Sequence, residues 1–239
     1  MERYNRNILL IGEEGQEKLS KAKILVCGCG GLGSTVIFNL ASLGIGEIGL
    51  VDNDIVEASN LNRQFIHDEV GLEKVISAKS KINKFNPEIK VNTYKVRLSH
   101  YNYIDIVEKY DILIDCFDSY ESKFLLNDIS VKTEKTLIHG GVSEFFGQVT
   151  VIKPTTACLR CFLTNIDTER KISKGVLSPA VSTIGAIQSM EAAKQVLKMG
   201  EPLENILLTY NGLKNEFKHL KIMKNKECIC RNKDLVLAK

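Results

Sequence analysis

The strongest constraint on the fold is VCGCGGLGS, residues 26–34. An apolar run, KILVCG, leads into it, and a stretch with helical spacing, LGSTVIFNLASLG, leads out, so the segment reads as strand, turn, helix. Gly28, Gly30 and Gly33 fit the spacing GxGxxG. Glycines at such a turn let the backbone approach a phosphate, whose charge the helix N-terminus then stabilises. Roughly 20 residues further on, Asp52 ends the apolar run EIGLVD, where an acidic side chain can bond ribose hydroxyls. The pattern supports an adenosine nucleotide and does not by itself choose between NAD and ATP.

Strands and helices then alternate. A helix runs from about Gly71 to Phe85 and is stopped by Pro87. IKVNTYKV reads as a strand, IDIVEKY as a helix, DILIDCFD as a strand, a further helix starts near Glu121, and KTLIHGG is a strand. This order implies a parallel, doubly wound, Rossmann-like sheet with right-handed crossovers. From Gly147 the rhythm changes: QVTVI, LLTYN and FKHLKIM read as antiparallel strands, split by a long helix from about Ser182 to Met199. The expected architecture is one α/β domain over 1–239, with a nucleotide-binding part at 1–145 and the antiparallel strands, long helix and a cysteine clip at 146–239.

Composition narrows the function classes. A net charge of +3, with basic residues spread among acidic ones, gives no nucleic-acid footprint. No apolar run approaches the ~18 residues of a membrane span, and MERYNRNILLIGEEGQ is not a signal peptide, so the expectation is a cytoplasmic protein without a membrane. Seven cysteines in that compartment point to metal ligands, catalysis or free thiols rather than disulfides. Cys158 and Cys161 form CxxC, and Cys228 and Cys230 form CxC. Two such pairs suggest a structural tetrahedral Zn²⁺, with free thiols or a redox pair as the alternative. Cys27 and Cys116 read as small core side chains, while Cys29 sits in the phosphate turn, where its side chain is tolerated because the flanking glycines do the bending; none of the three is expected to be catalytic.

VDNDIVEASNLNRQF gathers Asp52, Asp54, Asn60, Arg63 and Gln64 in one loop, and Lys74 opens the helix beyond it. Hydride transfer needs no such basic pair, whereas phosphoryl chemistry uses Arg and Lys to stabilise charge on a triphosphate. The bland alternative is a solvated loop with surface charges.

Taken in order, RYNR, GQEKL, GCGGLGS, VDNDIVEASNLNRQ, DCFDS, CLRC and SPAVSTIGAIQSMEAAK span nearly the whole chain. With these words the sequence resembles the E1-like adenylyltransferases, the family of the molybdopterin-synthase and thiamine sulfur-carrier activating enzymes. The resemblance implies ATP- and Mg²⁺-dependent adenylation of the C-terminal carboxylate of a ubiquitin-like sulfur carrier with a glycine tail. It implies that Gly28, Gly30, Gly31 and Gly33 line the nucleotide turn, and that Asp52 binds ribose. Asp54, Asn60, Arg63, Gln64 and Lys74 would surround the nucleotide and its phosphates, with Asp118 holding Mg²⁺. A lone Asp after a strand can equally cap the next helix. Arg6 would reach the ATP site of the neighbouring subunit, completing it only in a homodimer.

Two departures bear on mechanism. The second cysteine pair is CxC where the family usually has CxxC, and the loop NIDTERKISKGVLSP lacks the cysteine that several members use covalently. Rival readings are adenylation of a ribosomally made peptide, a tRNA-modifying cyclase and a non-catalytic E1-like binding subunit. An NAD dehydrogenase is the weakest, because none of His67, His100, His139 and His219 stands in a telling motif; His139 in LIHGG ends a strand near the site and reads as a satisfied core histidine or one that supports a site residue from behind.

Overall fold

A computed structural model describes residues 2–164, 166, 175–232 and 236–237. Helix α1 (Asn5–Lys21), bent at Gly12, precedes a run of alternating elements. These are β1 (Lys23–Cys27), α2 (Gly31–Leu43), β2 (Glu47–Val51), α3 (Lys74–Phe85), β3 (Lys90–Tyr94), α4 (Tyr103–Val107), β4 (Ile112–Asp115), α5 (Tyr120–Thr133) and β5 (Thr136–Ser143). They are followed by β6 (Phe146–Ile152), α6 (Leu159–Phe162), α7 (Ser178–Leu197), β7 (Ile206–Asn211) and β8 (Glu216–Lys221).

Among the described residues the strands form one sheet in the order β3-β2-β1-β4-β5-β6-β7-β8. The first five are parallel, and β6, β7 and β8 join antiparallel. The expected Rossmann-like sheet with an antiparallel continuation is therefore present. Strand order reverses at β1 and β4, and at such a reversal the loops leaving the C-terminal strand ends diverge and open a crevice.

Each face of the sheet carries its own core, because the side chains of β1 alternate. Ile24 and Val26 pack with residues of α2, α3 and α7, whereas Leu25 and Cys27 pack with residues of α4 and α5. Burial of both faces explains why the parallel strands are continuous apolar runs.

Element ends differ from the sequence reading in places. The long helix starts at Ser178, one turn earlier than Ser182, because Pro179 sits in its first turn, where a missing N–H costs nothing. The helix expected from Gly71 starts at Lys74, since Gly71 has φ of 89° and belongs to a turn. The last strand ends at Lys221 rather than running through KIM.

Candidate active site

The glycine turn leaves β1 and opens α2. Gly28 has φ of 102°, and a side chain there would place Cβ 2.6 Å from the Cys116 carbonyl oxygen. A Cβ on Gly33 would stand 2.1 Å from the Gly28 oxygen, so the first turn of α2 can lie against the end of β1 only if Gly33 lacks a side chain. Gly30 caps α2 with no side-chain hydrogen bond. The first amides of the helix, from Gly31 onward, are thus left for an anion, with the positive end of the helix dipole behind them. A Cβ on Gly31 would fall 2.9 Å from Val181 of α7 and 3.8 Å from the Arg63 side chain, which places both at the turn.

Asp52 braces this cradle from β2. Its Oδ2 accepts from Cys29 N at 2.7 Å and its Oδ1 from Asp54 N at 2.9 Å. Lys74, buried at the start of α3, donates from Nζ to Asp54 Oδ2 at 2.9 Å, while Asp54 itself is 59% exposed. Arg63 Nη1 donates at 2.9 Å to both Ser59 O and Asn62 Oδ1, holding the guanidinium on its own loop. Gln64 is buried, and its Oε1 has no partner among the described residues. A buried amide group without a partner is costly unless a ligand completes it. The structure thus gathers Gly28, Gly30, Gly31, Gly33, Asp52, Asp54, Arg63, Gln64 and Lys74 at one end of the sheet.

Of the other expected residues, Asn60 lies on the same loop, its carbonyl accepting from Arg63 N at 3.1 Å and Gln64 N at 2.9 Å, while Asp118 and Arg6 make no hydrogen bond to the group among the described residues. Asn60 has a local task, its Oδ1 accepting from Glu57 N at 3.1 Å in a capping box. Asp118 is exposed in the loop after β4, and it does not cap α5: Ser119 does, its Oγ accepting from Ser122 N at 3.3 Å. Arg6 is exposed on the first turn of α1 and makes no hydrogen bond or ion pair among the described residues. Most of the loop NIDTERKISKGVLSP, at 165 and 167–174, lies outside the described residues.

Sequence reasoning missed a buried charged group beside Asp118. Asp115, the last residue of β4, is 0% exposed; its Oδ1 and Oδ2 lie 3.2 and 3.3 Å from Lys123 Nζ, and its Oδ2 lies 2.7 Å from His139 Nδ1. Burial opposes ionisation of Asp115, but the Lys123 ammonium and the His139 hydrogen bond outweigh it and hold the carboxyl below its usual range. Burial pushes His139 down, so it is neutral with its proton on Nδ1, the position facing a carboxylate that can only accept. The sequence signals were the first acid of DCFDS and His139 at the end of LIHGG; nothing marked Lys123. His67 was also missed: buried, it bonds the Cys29 carbonyl through Nε2 at 2.8 Å and Ser77 Oγ through Nδ1 at 3.0 Å, tying the turn to α3. Cys27, Cys29 and Cys116 are buried, and burial pushes all three thiols up, which suits inert core positions.

The four remaining cysteines converge against α5. Their Sγ atoms lie within 4.8 Å of one another, with Cys158 to Cys161 at 3.8 Å, Cys158 to Cys228 at 3.7 Å and Cys161 to Cys230 at 3.6 Å. A tetrahedron of thiolates about 2.3 Å from a central Zn²⁺ has edges of about 3.8 Å. The shorter CxC pair closes the cluster because Cys228 ends a turn and Cys230 sits in a short 3₁₀ helix, Ile229–Arg231. The cluster is anchored on α5 by Asn127 Oδ1, which accepts from Leu159 N at 2.8 Å, and by Arg160, which forks onto Asp128 at 2.8 and 2.7 Å. This group can hold a metal ion; it belongs to the core on the α5 side of the sheet and not to the glycine cradle.

Comparison with known proteins gives a consistent picture. The ThiF family profile matches residues 4–232. The chain is 38% identical over 235 residues to the adenylyltransferase and sulfurtransferase UBA4 of Debaryomyces hansenii, covering 93% of this chain and 52% of that protein, about half its length. It is 34% identical over 242 residues to the sulfur carrier protein adenylyltransferase of Thermus thermophilus, covering 95% of this chain and 89% of that one. Among solved structures it is similar to E. coli MccB with ATP, at a TM-score of 0.85 and 26% identity, over 96% of this chain and 74% of MccB.

Proposed function

The chain belongs to the ThiF family, and from that premise we propose that it adenylates the C-terminal carboxylate of a ubiquitin-like sulfur carrier. The observation that carries this reading is the unclaimed N-terminus of α2, a glycine-lined anion cradle with Arg63, Lys74 and Gln64 around it. Similarity to an enzyme named for sulfur-carrier adenylation, the Thermus thermophilus relative, supplies the substrate class.

A carboxylate oxygen of the carrier attacks the α-phosphorus of ATP, the bond to the β-phosphate oxygen breaks, and pyrophosphate leaves with both electrons. No base is needed, since the carboxylate is ionised near pH 7. Catalysis is then positioning and charge stabilisation. The glycine turn seats the phosphates, Asp52 takes the ribose, and Arg63 and Lys74 neutralise charge moving onto pyrophosphate. For Lys74 this means exchanging an exposed carboxylate partner for phosphate oxygens. Asp118, exposed at the strand end and without a partner among the described residues, would hold Mg²⁺, which offsets phosphate charge.

Arg6 completes the site across a homodimer in this reading, which fits its exposure and lack of partners within the described chain. The four cysteines would hold Zn²⁺: burial and neighbouring thiolates push Cys158 up, so four thiolates need a cation between them. Purified without chelator, the protein should carry about one zinc per chain. The absence of cysteine from 165–179 favours passing the acyl adenylate directly to a separate nucleophile. The chain acts as one unit in the cytoplasm; among the described residues no helix is long and apolar enough to cross a membrane.

A second reading has a specific observation behind it. MccB, whose fold matches at a TM-score of 0.86, is a microcin C7 biosynthetic enzyme solved with N-formylated MccA, so a ribosomal peptide could replace the carrier. ATP–pyrophosphate exchange with Mg²⁺, a panel of glycine-ending carriers and peptides, and Asp118→Ala as control separates the two. Exchange with a carrier that vanishes in the control supports the leading reading; exchange with a peptide alone overturns it.

A further inference from the structure

Behind the loop that carries Asp118 lies Asp115, fully buried, with both carboxylate oxygens and its backbone oxygen claimed by hydrogen bonds. Lys123 reaches from α5 to both carboxylate oxygens and donates to Gly140 O of β5 at 2.6 Å. His139 donates from β5 through Nδ1, and its Nε2 is therefore an acceptor, met by Gln148 Nε2 of β6 at 3.1 Å. Gln188 of α7 donates to the Asp115 backbone oxygen at 2.8 Å. The outgoing loop is tied to the same carboxylate, since Phe117 N donates to Asp115 Oδ1 at 3.1 Å.

A buried ion pair is a poor way to stabilise a fold, because an apolar pair of equal volume often does as well or better. What it supplies is direction. A carboxylate bonded from α5, β5 and the loop itself fixes the path of residues 116–119 more tightly than packing would. We propose that Asp115, clamped by Lys123 and His139, is a positioning residue that sets Asp118 for metal-nucleotide binding. This rests on the reading of Asp118 as the Mg²⁺ group. Asp118 has no partner of its own among the described residues, so its placement depends on the backbone that leads to it. Outer partners of that kind hold a metal-binding carboxylate in the geometry its ion requires.

The test is calorimetric binding of the ATP analogue AMPCPP to the intact protein, with Mg²⁺ and with EDTA. The variant Asp115→Leu/Lys123→Met removes both charges together and leaves no buried ion unpaired. Asp115→Asn/Lys123→Met keeps an acceptor for the Phe117 amide. The expected result is that the first variant loses the Mg²⁺-dependent gain in affinity about tenfold or more, with Mg²⁺-free binding unchanged, and that the second restores most of it. A retained gain in the first variant, or equal loss with and without Mg²⁺, overturns the inference. Should the first variant not fold, amide exchange of Phe117 in the unmodified protein decides: protection supports the clamp, and exchange at the rate of an open loop overturns it. Failure of the underlying reading looks different. The unmodified protein would not bind AMPCPP, or Asp118→Ala would keep the Mg²⁺ gain, and either overturns the inference with it.

Discussion

Two lysine–carboxylate pairs flank the glycine turn, and they are built in opposite ways. Lys74 meets Asp54, a carboxylate 59% exposed, in a single 2.9 Å bond, whereas Lys123 meets Asp115 at 0% exposure, with His139 and a backbone amide on the same group. An exposed partner can be exchanged for a phosphate at little cost, since water already solvates it. A buried partner cannot leave without stranding a charge. In the proposed reading the first pair changes hands when a nucleotide binds and the second stays closed, so ligand handling and loop placement would be separate tasks at one end of the sheet.

The largest effect should come from breaking the closed pair on one side only. Asp115→Ala leaves the Lys123 ammonium buried and unpaired, and urea unfolding should show a loss of about 3–5 kcal/mol. The same measurement on Lys74→Met should show far less, while its ATP–pyrophosphate exchange falls about 10²–10³-fold, the scale of losing one charge-stabilising donor. Equal stability losses in the two variants would erase the distinction. An acid titration sharpens it further. Burial lowers the pKa of His67 and His139, so the unfolded chain takes up protons first as pH falls below ~6.5, and stability declines with falling pH. Each histidine contributes a slope of up to about 1.4 kcal/mol per pH unit, and His67→Gln should remove roughly half of it. Asp115, held low, adds its loss only in strong acid, below its ordinary ~3.9. The smallest effect belongs to Asp54→Asn, whose pair is partly solvated: its unfolding free energy should move by less than about 1 kcal/mol.

The same contrast explains what could be read from the residues alone. The glycine turn was legible because steric exclusion leaves only glycine at Gly28 and Gly33, and the cysteine cluster because its ligands come in close pairs. Asp115, Lys123 and His139 come from β4, α5 and β5, and no periodicity links them; only the folded sheet brings them within hydrogen-bond reach. The start of α7 was misplaced for a related reason. Ala180, Val181, Ile184, Gly185, Gln188 and Ser189 are all buried, so the helix meets neighbours around much of its circumference and has no polar face to mark its first turn. The sense of β6, β7 and β8 was read correctly, while the bend of α1 at Gly12 left no pattern to follow.

The cysteine cluster also sets an order of events during synthesis. Cys158 finds Cys228 across 70 positions of chain, whereas the Cys29 amide of the glycine turn meets Asp52 across 23. The glycine turn and Asp52 therefore leave the ribosome long before the second thiol pair exists. Until Cys228 and Cys230 are made, Cys158 and Cys161 hold only half of the thiols that the folded cluster brings together, so the cluster closes among the last steps of folding.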